Sequence, residues 1–436
     1  MATTAADGRR RWGGAARAAA AVALGAAAAA ALVVSCAAPP EAGPPVTPSA
    51  AEPPVNVGLA VGAAGVTLGG DAALTLTAPD GARVGEIPAG EVWRAGAGGS
   101  SSSAGIDLAT GSGVRVTSAE QVLVAPADGL SPVRANGRSY RGTLALLRDR
   151  TGITVVNRVP LESYLLGVVS AEMGRRDPTE REALRAQAVV SRTYAMRNLG
   201  RWRAQGFDLY ATVADQVYAG IGAETPEGRD AVETTRGLVL TWNGGPIDAF
   251  FFSTCGGRTA DGAEVFRGAE RPYLRSVPDL GPDGLAYCAI SPRYRWREEW
   301  SGEALRGVLR TTLPTVAGVA AARVDDVQDV RVVSRSASGR VARLGIALER
   351  EEVEVDGPSV RQVLRTVSGD ILRSTAFTLD VSRDRGRVTR VVAEGTGNGH
   401  GVGFCQWGAV GRARSGQDFQ RILAAYYPET QLSRLY

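Results

Sequence analysis

Lysine is absent from the 436 residues, so every basic side chain outside the single histidine is an arginine. A GC-rich genome accounts for this without function, while planar guanidinium groups also suit acidic or sugar-bearing polymers. Histidine occurs once, at His400, so chemistry that needs an imidazole has one group to draw on. Cysteine is scarce too, at Cys36, Cys255, Cys288 and Cys405. No block of like charge stands out: the formal net charge is only +4 and the arginines are scattered, which argues against a nucleic-acid partner. Apolar residues are plentiful at 44%, enough in a chain of this length for the cores of two compact domains.

The N-terminus reads as a targeting segment. Arg9, Arg10, Arg11 and Arg17 precede an apolar run from Ala18 to Val34, as in a secretory signal peptide. The run ends Leu32-Val33-Val34-Ser35-Cys36, which resembles a bacterial lipobox with Cys36 as the lipidated residue. The alternatives are an ordinary signal peptide and an uncleaved anchor. Residues 37–54 are proline-rich and low in complexity, and predict an extended, semi-rigid tether reaching roughly 50 Å at about 3.1 Å per residue.

From Val55 to Val156 short alternating apolar runs separated by glycine turns predict an antiparallel β region. The segment Ala95 to Gly105, with four serines in a row, predicts a flexible loop tip within it. Helical signals begin at Pro160, and Asp177-Pro178-Thr179-Glu180 announces a second helix that runs to about Asn198. On that helix Ala183, Ala186, Gln187, Val190 and Tyr194 share a face; the alanines permit close approach to the first helix, and Gln187 needs a partner in the seam. Beyond Gly206 the pattern turns β-rich. A hairpin about Asn243-Gly244-Gly245 is expected, with a strongly apolar return strand. A helix near 302–310, strands around 327–333, 341–349 and 377–380, and a C-terminal helix over 418–427 complete the reading.

Within PLESYLLGVVSAEM, Leu161, Leu165, Val168 and Val169 form one helical stripe, and the same spacing lands next on Glu172. A carboxylate on that face should be desolvated and its pKa raised, which general acid catalysis near neutral pH requires. The plainer alternative is a Glu that caps a turn or pairs with an arginine.

With Cys36 assigned to the lipobox, Cys255, Cys288 and Cys405 remain, and His400 lies five residues before Cys405. Three thiolates and an imidazole are a common structural zinc set, although neither local spacing is that of a finger. A Cys255–Cys288 disulfide with Cys405 free is the alternative in an exported protein. A thiol enzyme with Cys255 or Cys405 activated by His400 lacks an evident third residue to orient the imidazole. The glycines of 395–403 alternate and match no phosphate-binding pattern; tight turns and close packing explain them.

Five blocks, YLLGVVSAEM, EALRAQAVVSRTYAM, DQVYAG, FSTCGGRT and GHGVGFCQWGA, stand in an order that resembles the SpoIID/LytB family, which includes stage II sporulation protein D and the amidase enhancers of bacterial cell walls. The resemblance spans roughly Val55 to Tyr436. It implies an α+β fold, mixed and β-rich with a helical catalytic segment, which binds peptidoglycan. Its catalytic members are lytic transglycosylases that cleave between N-acetylmuramic acid and N-acetylglucosamine, with the acid in the block matched by Glu172. One departure is present: the family pattern usually has Glu-Met-Pro, whereas here Glu172-Met173-Gly174 is found, which implies a looser turn. A single carboxylate suffices for such an enzyme because the sugar's own C6 hydroxyl attacks, and no cofactor is required for catalysis. Gln187, Arg192, Tyr194, Gln216 and Tyr218 are then expected to hold sugar amides and hydroxyls, although each could instead be a structural hydrogen bonder. Arg192 close to Glu172 would keep it ionised and oppose acid catalysis.

The expected organisation is thus a signal peptide with lipobox over 1–36, a tether over 37–54, a β-rich region over 55–156 and a catalytic or glycan-binding region over 157–436. The expected partners are peptidoglycan glycan strands, a cell-wall amidase, and the membrane through the lipid anchor. The rival to a transglycosylase is a non-catalytic amidase enhancer of the same fold.

Overall fold

Strict alternation of buried and half-exposed residues, as in Gln121–Pro126, sends every second side chain of the β region into a core. In the computed structural model the described residues are 51–98, 105–110, 113–117 and 119–436. The basic stretch, the apolar run, Cys36, most of the tether and the serines of the loop tip lie outside them. Among the described residues no helix is long and apolar enough to cross a membrane.

The β region forms two sheets that share one core built from residues such as Val57, Leu68, Leu76, Trp93, Leu108, Val124 and Leu146. The larger sheet has the strand order 209–210, 54–63, 153–160, 143–148, 121–126, 74–77, 83–87. Its strand Ile153–Pro160 is buried on both faces, because Val156 packs with Ala145 and Phe207 on the side away from the main core. The tether ends earlier than composition implies: Pro54 already starts a strand, paired with Pro160, and Glu52 accepts the Glu162 N–H at 2.7 Å.

Strand Ile153–Pro160 runs without a loop into helix α1, Leu161–Met173, so the sheet itself aims that helix. Pro160, expected as the first helical residue, is instead its N-cap. The capping box forms as expected, with the Thr179 N–H donating to Asp177 at 3.0 Å and the Asp177 N–H to Glu180 at 3.2 Å; helix α2 then runs from Arg181 to Arg197. After α2 the chain adds Leu209–Tyr210 parallel to Val57–Gly58 at the sheet edge, which fixes the start of the loop that leads back to α1.

The hairpin turn is present, with Asn243 and Gly244 at φ 50° and 80°, but its return strand is only Gly245–Pro246. One more bond, from the Ile247 N–H to the Leu240 carbonyl at 3.1 Å, follows Pro246, and Phe251–Phe252 then pairs parallel with Phe404–Cys405.

Residues 296–393 contain a second hydrophobic core, around Trp300, Leu305, Leu309, Leu344, Ile346 and Val360. It is built from the sheet 295–301, 387–396, 377–384, the sheet 327–335, 341–348, 352–356, and the helices Gly302–Val316 and Gly357–Val363. The region expected as one unit from 157 onward therefore holds a lobe with its own core. The chain then returns to the first core through the helices Gln406–Arg414 and Phe419–Tyr426.

Candidate active site

Glu172 sits in the last turn of α1, half-buried, beyond the fully buried stripe Leu161, Leu165, Val168 and Val169. Burial raises its pKa; the Val217 N–H, donating to Oε1 at 2.7 Å, and the Gln406 amide, 3.4 Å from Oε2, pull the other way without cancelling the rise. No charged side chain contributes to the shift. The carbonyl end of a helix also disfavours a carboxylate. The helix stops at once because Gly174, at φ 70°, closes it with a bond to the Ser170 carbonyl at 2.9 Å. Proline, fixed near −65°, could not adopt that backbone, so the departure from Glu-Met-Pro corresponds to a tight glycine C-cap and not a looser turn.

Three elements converge on the carboxylate. The loop after Tyr210 brings Val217, the helix Gln406–Arg414 brings Gln406, and α2 brings Gln187, whose amide oxygen lies 3.4 Å from the Gln406 nitrogen while its own nitrogen donates to Ser191 at 2.9 Å. Gln187 is fully buried and acts through Gln406. Gln216 is also buried; its oxygen accepts from Tyr164 at 3.2 Å, and its amide nitrogen has no partner.

The other expected sugar contacts are corrected by the structure. Arg192 is fully buried and forms a fork with Glu162, at 2.8 and 2.7 Å, with its remaining donors on Leu238, Val232 and Thr235. It has no hydrogen left for a ligand, and its carboxylate is Glu162, not Glu172. Tyr194 donates to Asp215 at 2.9 Å and Tyr218 to Asn157 at 2.8 Å, both buried. These three brace the scaffold. Tyr218 lies one residue from Val217 and packs on Tyr164, ring centroids 5.0 Å apart, and so holds the loop that supplies the N–H to Glu172.

The cysteines do converge: ligand atoms of Cys255, Cys288 and Cys405 lie within 4.8 Å of one another, but the fourth member is Asp279. His400 is elsewhere, half-buried among Phe250, Phe252 and Phe266, with one ring nitrogen 2.8 Å from the Phe251 carbonyl and the other accepting the Val402 N–H at 3.1 Å. Burial pushes its pKa down to about 4. With both ring nitrogens engaged by backbone groups and His400 outside the thiol cluster, the thiol-enzyme reading loses its base.

A cleft of about 760 Å³ between the two cores, lined by Arg258, Arg295, Arg335 and Arg340 among others, does not open on Glu172.

Sequence reasoning passed over Gln406, Asp279 and the Val217 N–H. Gln406 stands inside the GHGVGFCQWGA block and could have been singled out there; a backbone donor leaves no sequence signal.

Comparison with known proteins agrees with this geometry. A family profile described as stage II sporulation protein matches residues 149–242, which include α1, α2 and Val217. A second, described only as a domain of unknown function (DUF8618), matches residues 286–403, close to the limits of the lobe. The chain is 30% identical over 293 residues to an uncharacterised protein of Brachyspira hyodysenteriae, covering 67% of this chain and 72% of that one. It is 31% identical over 301 residues to stage II sporulation protein D of Bacillus amyloliquefaciens, covering 65% of this chain and 77% of that protein. The amidase enhancer of Bacillus subtilis is 28% identical over 280 residues, 58% of this chain and 38% of the relative.

Proposed function

We propose that this chain, which belongs to the family of stage II sporulation protein D, is a peptidoglycan lytic transglycosylase of the cell envelope with Glu172 as its acid. One observation carries the reading: Glu172 is a half-buried carboxylate with a raised pKa and no charged group acting on it. A protonated Glu172 donates its proton to the glycosidic oxygen as the bond to the anomeric carbon of N-acetylmuramic acid breaks. The C6 hydroxyl of that sugar then attacks the anomeric carbon and returns its proton to the carboxylate. The product is a 1,6-anhydro end, no water is consumed, and Glu172 is regenerated. A hydrolase needs a second carboxylate about 5–9.5 Å away, whereas this route needs Glu172 alone.

The Val217 N–H and Gln406 amide are suited to the second half of this cycle, since both can donate to the carboxylate while it waits for the C6 proton. The likeness to an amidase enhancer favours a second reading, in which the same surface binds glycan and a cell-wall amidase without cleavage. Export by the N-terminal signal and anchoring through a lipidated Cys36 fit either role.

The test is mass spectrometry of products from purified glycan strands, intact and stripped of peptides, incubated with the protein or with Glu172→Gln. Anhydro-muramic ends from the wild type alone support the transglycosylase. Binding without cleavage on both substrates moves the assignment to the enhancer.

A further inference from the structure

Two arginines are buried beside the thiol cluster. Arg412 donates to Asp279 Oδ1 at 2.9 Å. Arg340, reaching in from the lobe and 4% exposed, donates to the Cys255 carbonyl at 2.9 Å, and its Nε and Nη1 have no hydrogen-bond partner. A buried cation needs a compensating charge. The groups that favour the Arg340 charge are Cys255, Cys288, Cys405 and Glu264, whose carboxylate also accepts from the Ser338 N–H and hydroxyl, while a further guanidinium, Arg361, acts against it.

Three neutral thiols would leave Glu264 as the one anion of this set facing two cations, Arg340 and Arg361, and so would a Cys255–Cys288 disulfide. Three thiolates and a carboxylate around a divalent cation carry a net charge of two minus, which the guanidiniums of Arg340 and Arg412 balance.

The local geometry agrees. Cys255 Sγ is 3.4 Å from Cys288 Sγ and 3.2 Å from Asp279 Oδ2; a tetrahedral zinc with bonds of about 2.3 Å to sulfur sets its ligands roughly 3.8 Å apart. Asp279 is fully buried, and its other oxygen, Oδ1, is held by Arg412 and by the Tyr426 hydroxyl at 2.9 Å, so Oδ2 is left facing the thiols. Such outer contacts orient a metal ligand. Backbone N–H groups also point at the sulfurs: Cys255 and Gly408 at Cys405, 3.1 and 3.3 Å, and Gly257 at Cys255, 3.4 Å.

We propose that Cys255, Asp279, Cys288 and Cys405 form a structural zinc site, closed to substrate and charge-balanced by Arg340 and Arg412. The site joins the strand after the hairpin, the segment before the lobe and the N-cap of the helix Gln406–Arg414. Because Cys405 adjoins Gln406, the metal fixes the residue that reaches Glu172.

The proposal is tested on the full chain by metal analysis, which needs no knowledge of activity. Plasma mass spectrometry should find about one zinc per chain, and chelation should lower the melting temperature by more than about 5 °C, reversibly on adding zinc. Asp279→Asn should weaken zinc by more than the about 10–100-fold typical of an outer contact. His400→Gln should keep it. An unreduced peptide map showing a Cys255–Cys288 disulfide in a zinc-free wild-type chain overturns the site, whether or not any variant folds. Zinc lost in His400→Gln but retained in Asp279→Asn overturns the ligand set.

Discussion

Glu172 and Glu162 lie on the same helix and titrate in opposite directions, because one has a guanidinium and the other does not. Burial pushes both upward, but for Glu162 the fork and charge of Arg192, with help from Tyr436 and Gly237, hold its pKa below the ordinary value. A raised acid binds its proton more tightly when folded. Its contribution to stability is therefore full below the unfolded pKa and is lost as pH rises through the folded one. Glu172→Gln should remove that loss, giving a variant more stable than the wild type on the alkaline side in urea titrations. Its cleavage rate should fall by about 10²–10⁴-fold, read from anhydro-muramic product. The opposite sign applies to Glu162, whose contribution is present above its unfolded pKa and disappears as pH falls through the folded one. Arg192→Leu should cost about 3–5 kcal/mol and flatten the acid limb of the stability profile, without changing the KM of the fraction that folds. An effect on KM alone would restore Arg192 to the substrate.

At the scale of elements, the site depends on close contact between α1 and the loop after Tyr210. A Cβ at Gly167 would stand 2.6 Å from the Tyr218 ring and 3.1 Å from the Gly220 carbonyl. Gly167→Ala should therefore destabilise by about 1–3 kcal/mol although alanine is the better helix former. By displacing Val217 it should change kcat more than KM in steady-state cleavage assays. Much of this local architecture was legible in advance. The stripe Leu161 to Val169 located α1, the run Asp177 to Glu180 located the start of α2, and the departure at Gly174 was visible as a residue change. The expected strand after Gly245 is short because the chain leaves Leu238–Trp242 beyond Ile247 and Phe251–Phe252 joins Phe404–Cys405 instead. Periodicity reports an apolar run; it does not report which edge is free.

The molecule as a whole has two hydrophobic cores, with Arg340 passing from one to the thiol cluster of the other. A truncation such as Leu344→Ala, at a fully buried position in the lobe, should cost about 2–5 kcal/mol. Hydrogen exchange followed by mass spectrometry should locate the lost protection within residues 296–393, with the first core still protected, since separate cores open as separate units. Equal loss of protection in both would show a single cooperative unit.

The sequence by itself determined where α1 and α2 lie, that Glu172 extends an apolar stripe, that residues 55–156 are an antiparallel β region, and which family the five blocks resemble. These follow from local dihedral preference, helical period and residue order, all of which are written along the chain. Only the tertiary structure decided that Arg192 belongs to Glu162, that Asp279 and not His400 faces the three cysteines, and that Gln406 and a backbone N–H at Val217 hold the candidate acid. Those pairings join residues up to 234 positions apart, and a long-range partner is chosen by packing, charge balance and available donors, which no local pattern records.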